Sequence, residues 1–173
     1  MRIKVKLTNK EVELARSLAV ARDEKKVRFG AGRYAECSKK TGSSENSHFY
    51  GLLGEIAVAK HFKVEIDKRI FATHGDDGVD LVLEDPDLGY VQVKTTTYTK
   101  DPFLRVPMGK QKDKDKLKDI DSYICCCIDV KNSKEVQIVG WIDHKELVKK
   151  KTWRFLRYGP VNYVAKESEL NGF

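Results

Sequence analysis

The strongest constraint in this sequence is an apolar pattern broken by a turn. Gly78-Val79-Asp80-Leu81-Val82-Leu83 is followed by Glu84-Asp85-Pro86-Asp87-Leu88-Gly89 and then by Tyr90-Val91-Gln92-Val93-Lys94. Two β-branched and apolar runs around a segment dense in turn formers predict a β-hairpin. Alternation along the second strand sends Val91 and Val93 to one face and Gln92 and Lys94 to the other. The valines claim the core, so an amide and an ammonium recur on the other face of an otherwise apolar strand. Asp80 opens the first strand after the loop Gly75-Asp76-Asp77-Gly78. The hairpin therefore brings Asp80, Gln92 and Lys94 to one sheet edge. An acid, an amide oxygen and an ammonium at one point are the parts of a site that holds a hard cation beside a phosphate. Asp77 is the rival to Asp80; the strand fixes the position of Asp80, and that favours it.

A helix is predicted from Glu45 or Ser47 to Phe62, with Phe49, Leu52, Leu53, Ile56, Ala57, Ala59 and Phe62 forming a broad apolar face. Glu55 lies at the margin of that face. A carboxylate there has to be paired or bind a cation. Gly51 and Gly54, each costing about 1 kcal/mol against alanine in a helix, are read as places where another backbone comes close.

Glu55 on a helix, Asp80 on a hairpin, a spacer of eleven residues and then Gln92-x-Lys94 form an ordered set. In that order, over about Phe49 to Ile142, the chain resembles the PD-(D/E)XK nuclease superfamily. The nearer pattern is the variant with glutamine for the second acid, as in Mrr-type restriction enzymes and some junction-resolvase-like proteins. Val79 departs from the proline that many members carry at that position. The resemblance implies a restriction-endonuclease-like α-β-β-β-α-β core, an α/β fold with a mixed central sheet flanked by helices. It implies Mg²⁺, with Mn²⁺ able to substitute, and catalytic residues Glu55, Asp80, Gln92 and Lys94. Glu55, Asp80, Gln92 and the Val93 backbone carbonyl would hold the metal. Lys94 would orient or help deprotonate the attacking water and offset charge on the scissile phosphate.

Charge is compatible with a polyanionic partner. Lys plus Arg is 33 and Asp plus Glu is 26, a formal net charge of +7. The length predicts a single domain overall, with residues 1–44 as an N-terminal helix and basic loop on a core of 45–173. The sequence has no apolar run long enough to cross a bilayer and no signal-peptide pattern at its start, which predicts a cytoplasmic protein with no membrane partner. Cys125, Cys126 and Cys127 are consecutive, a spacing unlike a zinc clip, and read as small core residues on a central strand. Cys37 is isolated.

Elsewhere, Met1 to Leu7 is an optional edge strand, and Thr8 with Glu11 has capping-box spacing before a stripe of Val12, Ala15, Leu18, Ala19 and Arg22. Gly30 to Ser47 reads as a loop, Val64 to Phe71 as a strand, and His74 as a loop histidine with no assigned role. Phe103 to Val106 reads as a strand, 110–119 as an exposed helix, Ser122 to Val130 and Val136 to Ile142 as strands, and Val161 to Lys166 as a last short strand before a tail. Thr95 and Thr96 could hydrogen-bond a phosphate. Lys150, Lys151 and Arg154, interleaved with Trp153, Phe155 and Tyr158, are candidates for nucleic-acid contact.

The expected function is a metal-dependent DNA endonuclease hydrolysing phosphodiester bonds, acting alone or as a homodimer. The alternatives are a structure-selective, junction-resolvase-like nuclease and a DNA-binding protein on the same scaffold that does not cut. A third, an unrelated metabolic enzyme, would carry Gly-x-Gly-x-x-Gly or Gly-x-Ser-x-Gly, and neither occurs.

Overall fold

A computed structural model of the chain describes residues 1–28, 43–66, 68, 78–108, 120–154 and 161–173, with side chains described throughout these except at 23–28, 43–45, 153 and 154. The elements are β1 (Ile3–Lys6), α1 (Asn9–Arg28), α2 (Ser43–Phe62), β2 (Leu81–Val82), β3 (Tyr90–Thr96), β4 (Phe103–Pro107), β5 (Ser122–Ile128), β6 (Glu135–Asp143), α3 (His144–Leu147), β7 (Thr152–Arg154) and β8 (Val161–Lys166), followed by a 3-10 turn, Glu167–Glu169. The fold is mixed α/β.

Five strands form one sheet in the order β1-β6-β5-β3-β2. The pair β3–β5 is parallel and the other pairs are antiparallel. Parallel neighbours need a long crossover, and here residues 97–121 supply it. The helix read at 110–119 lies outside the described residues. So do most of the strand read at 64–71, His74, Asp76, Asp77 and Cys37; Val64–Ile66, which are described, form no strand.

Phe103–Pro107, read as a strand, lies outside the large sheet. It forms a second sheet of order β4-β8-β7. The reason is burial. Leu104 and Val106 are buried with Tyr123, Cys125 and Cys127 on one side of the large sheet, while Ile124, Cys126 and Ile128 pack with α1 and α2 on the other. Strand β5 is thus covered on both faces, and all seven of its residues are buried. The three thiols are free core groups, and burial pushes Cys125 up to about 12 and Cys126 well above the usual thiol range.

Helices α1 and α2 pack side by side over the large sheet. The Thr8–Glu11 capping box forms: the Thr8 N–H donates to Glu11 Oε2 at 2.6 Å and the Glu11 N–H to Thr8 Oγ1 at 3.3 Å. Lys60 Nζ near the end of α2 also reaches Glu11 Oε2, at 2.9 Å, which locks the start of one helix to the end of the other. The segment read as a tail is docked on β6. The Asn171 N–H donates to Trp141 O at 2.8 Å and the Trp141 N–H to Asn171 O at 3.0 Å. Among the described residues no helix is long and apolar enough to cross a membrane.

Candidate active site

The hairpin forms, but its first strand is only Leu81–Val82, so Asp80, expected on that strand, lies just before it. Asp85 closes the turn, its carbonyl accepting from the Leu88 N–H at 3.2 Å and the Gly89 N–H at 3.1 Å. The paired register is Leu81↔Val91 and Val82↔Tyr90, and Asp80 stands one residue before it, next to Val91 of β3. Val91 and Val93 are buried in the helix-side core, while Gln92 and Lys94 lie half-buried on the other face.

Asp80 is held by backbone. Its N–H donates to Val91 O at 2.8 Å, and its Oδ2 accepts the Val93 N–H at 2.7 Å. Because Val91 turns its carbonyl toward β2, Val93, two residues on, turns its own carbonyl to the same side. There β2 has not yet begun, so that oxygen points into the region beside Asp80. Gln92 donates through Nε2 to the Gly78 carbonyl at 2.7 Å, which leaves Oε1 as its outward acceptor. Gly78 has φ 83°, a left-handed conformation that costs a side-chain-bearing residue 1–2 kcal/mol, roughly, and glycine almost nothing.

Glu55 reaches the same place from α2. Its side chain is 13% exposed, and Arg22 of α1 lies beside it, with Arg22 Nη1 3.7 Å from Glu55 Oε1. The carboxylate at the margin of the apolar face is thus charge-compensated, as its burial requires. Arg22 had been visible only as the last position of the α1 stripe. Its pairing depends on how α1 lies along α2, which no local pattern encodes.

A cleft of about 720 Å³ joins these groups: Glu55, Asp80, Gln92, Val93 and Lys94 all line it. Among the described residues Lys94 makes no ion pair or hydrogen bond. Among the described residues, Arg22, Lys94 and Arg105 against Glu55 and Asp80 give the lining more positive than negative side chains. The chain belongs to no family that a comparison identifies: no family model, curated protein or solved structure matches it.

As a cation site the lining is rich in hard oxygens and poor in charge. Among the described residues there is no group of three His, Cys, Asp or Glu side chains placed to hold a metal. The cleft-lining residues that could offer oxygen are Glu55, Asp80, Gln92 and, through its backbone, Val93. That set suits Mg²⁺, which takes oxygen ligands and keeps several waters.

The proposed nucleic-acid contacts divide. Thr96 lines the cleft, where its Oγ1 accepts the Tyr98 N–H at 3.2 Å. Thr95 lines the cleft as well, but its hydroxyl is buried against α2 with no hydrogen-bond partner among the described residues. Lys150 and Lys151 do not line the cleft; Lys150 Nζ pairs with Glu169 Oε1 at 3.3 Å. The Arg154 side chain lies outside the described residues. Missed by the sequence reading were Tyr98, Phe103 and Arg105, which do line it. Arg105 had a signal: it is the polar position between Leu104 and Val106 on an otherwise apolar strand.

Proposed function

We propose that this chain is a divalent-cation-dependent endonuclease that hydrolyses phosphodiester bonds in DNA, built on a restriction-endonuclease-like core and acting in the cytoplasm. The observation that carries the reading is the meeting of Glu55 of α2, Asp80 just before β2, and Gln92 and Lys94 of β3 on one cleft. The order α2, β2, β3, and then β5 parallel to β3 in a mixed sheet, supports the finer fold reading.

Asp80, Gln92 Oε1, the Val93 carbonyl and Glu55 would hold the cation. Bound there, Mg²⁺ supplies Lewis acidity toward a phosphoryl oxygen. The protein contributes the rest. The Val93 N–H, donating to Oδ2, fixes Asp80 on the lining of the cleft. Lys94, unpaired among the described residues, orients the attacking water and stabilises negative charge that builds on the phosphate. Arg22 holds Glu55 in place, and Arg105 adds positive potential along the backbone of the substrate. Having glutamine where a third acid would stand lowers the charge of the site, and the expected result is weak metal affinity.

A second reading, a DNA-binding protein that does not cut, draws support from the Arg22–Glu55 pair, which already compensates one of the two carboxylates. Plasmid nicking separates the two. Hydrolysis that appears with Mg²⁺ or Mn²⁺, stops with chelator, and is lost in Asp80→Ala and Lys94→Ala supports the nuclease. Salt-sensitive binding that survives Lys94→Ala, with no hydrolysis at any metal concentration, supports the binder.

A further inference from the structure

Beyond Lys94 the cleft is lined by an aromatic pair. The rings of Tyr98 and Phe103 lie 5.5 Å apart, centroid to centroid, with planes 33° from parallel. Phe103 is half-buried, while Tyr98 is 65% exposed. One face of a large aromatic ring is therefore left in water at the mouth of a cation-lined cleft.

Both rings sit on pinned backbone. Phe103 begins β4 and pairs with Lys166 of β8. The connector that carries Tyr98 is clasped by Arg2, whose Nη1 donates to Thr99 O at 2.7 Å and whose Nη2 donates to Lys100 O at 3.4 Å. Arg2 is itself anchored by Glu167, through Nε to Oε1 and Nη2 to Oε2, each at 2.7 Å. A rigid exposed ring loses little entropy when something stacks on it.

Cations decide what stacks. Lys94 and Arg105 line the same cleft, and the chain carries a net charge of +7. The fitting ligand is a flat π-system on a polyanionic backbone. In an intact duplex the base faces are covered by their neighbours, whereas an unpaired base offers its face. We infer that Tyr98, backed by Phe103, stacks an unpaired nucleobase while Lys94 and Arg105 hold the adjoining phosphates, so that the cleft takes single-stranded or locally unpaired DNA in preference to intact duplex. This deepens the nucleic-acid reading of the cleft but does not depend on hydrolysis.

The test is binding by the full chain, with chelator present so that nothing is cut. A short single-stranded DNA carrying 2-aminopurine is compared with the blunt duplex of the same sequence. The expected results are tighter binding of the single strand and quenching of the 2-aminopurine on binding. Tyr98→Ala should weaken single-strand binding at least about fivefold and abolish the quench, since one stacked base contributes that much. Tyr98→Phe should keep both, because the ring does the stacking. Duplex bound as tightly as single strand, no quench, or Tyr98→Ala indistinguishable from wild type overturns the inference. Single-strand binding with quench, but no hydrolysis with any metal, sinks the nuclease reading and leaves this one standing. Normal hydrolysis with Tyr98→Ala unchanged does the reverse.

Discussion

Gly51 and Gly54 lie on one helix, three residues apart, and alanine should act on them with opposite sign. At an open helix position Gly→Ala stabilises by about 1 kcal/mol. A Cβ at Gly51 would meet nothing within 4 Å, so Gly51→Ala should show that gain. A Cβ at Gly54 would overlap the Thr95 hydroxyl oxygen and lie 3.3 Å from Thr95 Cβ and 3.4 Å from Val93 Cγ1. Thr95 cannot easily retreat, since its strand is held in register with β5 through Thr95↔Cys126. Overpacking of this kind costs about 1–3 kcal/mol. Set against the helical gain of about 1 kcal/mol, Gly54→Ala should be destabilising by about 1 kcal/mol net. Thr95→Ala removes the obstacle. Alone it should be close to neutral, because losing a buried methyl costs about 1 kcal/mol and losing a buried hydroxyl without a partner recovers a similar amount. In the Thr95→Ala background, Gly54→Ala should regain its helical benefit, a coupling of about 2 kcal/mol. Urea denaturation of the four proteins of the cycle, with Gly51→Ala alongside, measures this if the m-values agree. If Gly54→Ala stabilises wild type as much as Gly51→Ala does, the close approach of α2 to β3 is wrong. That contact also sets the separation of Glu55 from Lys94, one residue away on each element. Gly54→Ala should therefore lower the proposed hydrolysis more than Gly51→Ala.

Arg22→Met leaves the Glu55 carboxylate, 13% exposed, without its guanidinium, and should cost about 1–2 kcal/mol in urea titration; adding Glu55→Gln should recover part of that, and a second loss of equal size would contradict the pairing. The hydrogen bond from Arg2 holds Glu167 below the usual carboxylate range. Its contribution is thus present above the unfolded-state carboxylate value and disappears as pH falls through the lower folded value. With both partners partly exposed, the difference between wild type and Glu167→Gln should be about 0.2–1 kcal/mol at neutral pH and should fade as pH falls below the unfolded-state value and through the lower folded one; a difference that persists once Glu167 is protonated in the folded state would show that charge is not its source. Burial keeps Cys125, Cys126 and Cys127 protonated, so at about pH 8 iodoacetamide should leave their peptide unmodified in the native protein and label it in urea. Native labelling of that peptide, seen by mass spectrometry, would place β5 at an exposed position.

Local chemistry made several parts of this protein legible without coordinates. The Thr8–Glu11 box, the hairpin around Asp85 and the alternation of Val91 and Val93 with Gln92 and Lys94 are all settled within a dozen residues of chain, where side-chain period and turn propensity decide. The burial of Cys125–Cys127 was readable for the same reason, as was the span of β8. What coordinates alone decided are choices between distant partners. The residues of β4 read as a strand, but nothing in them says that they pair with β8 and not with the large sheet. Arg22 reads as one end of a stripe; its meeting with Glu55 requires α1 to lie along α2. Asn171 reads as tail, yet it pairs with Trp141, and the connector between Tyr98 and Phe103 is held by Arg2, which is itself anchored by Glu167 from the other end of the sequence. Such contacts are selected by which apolar faces remain uncovered once the local elements have formed. That is a property of the assembled layers, and a single strand or helix does not carry it.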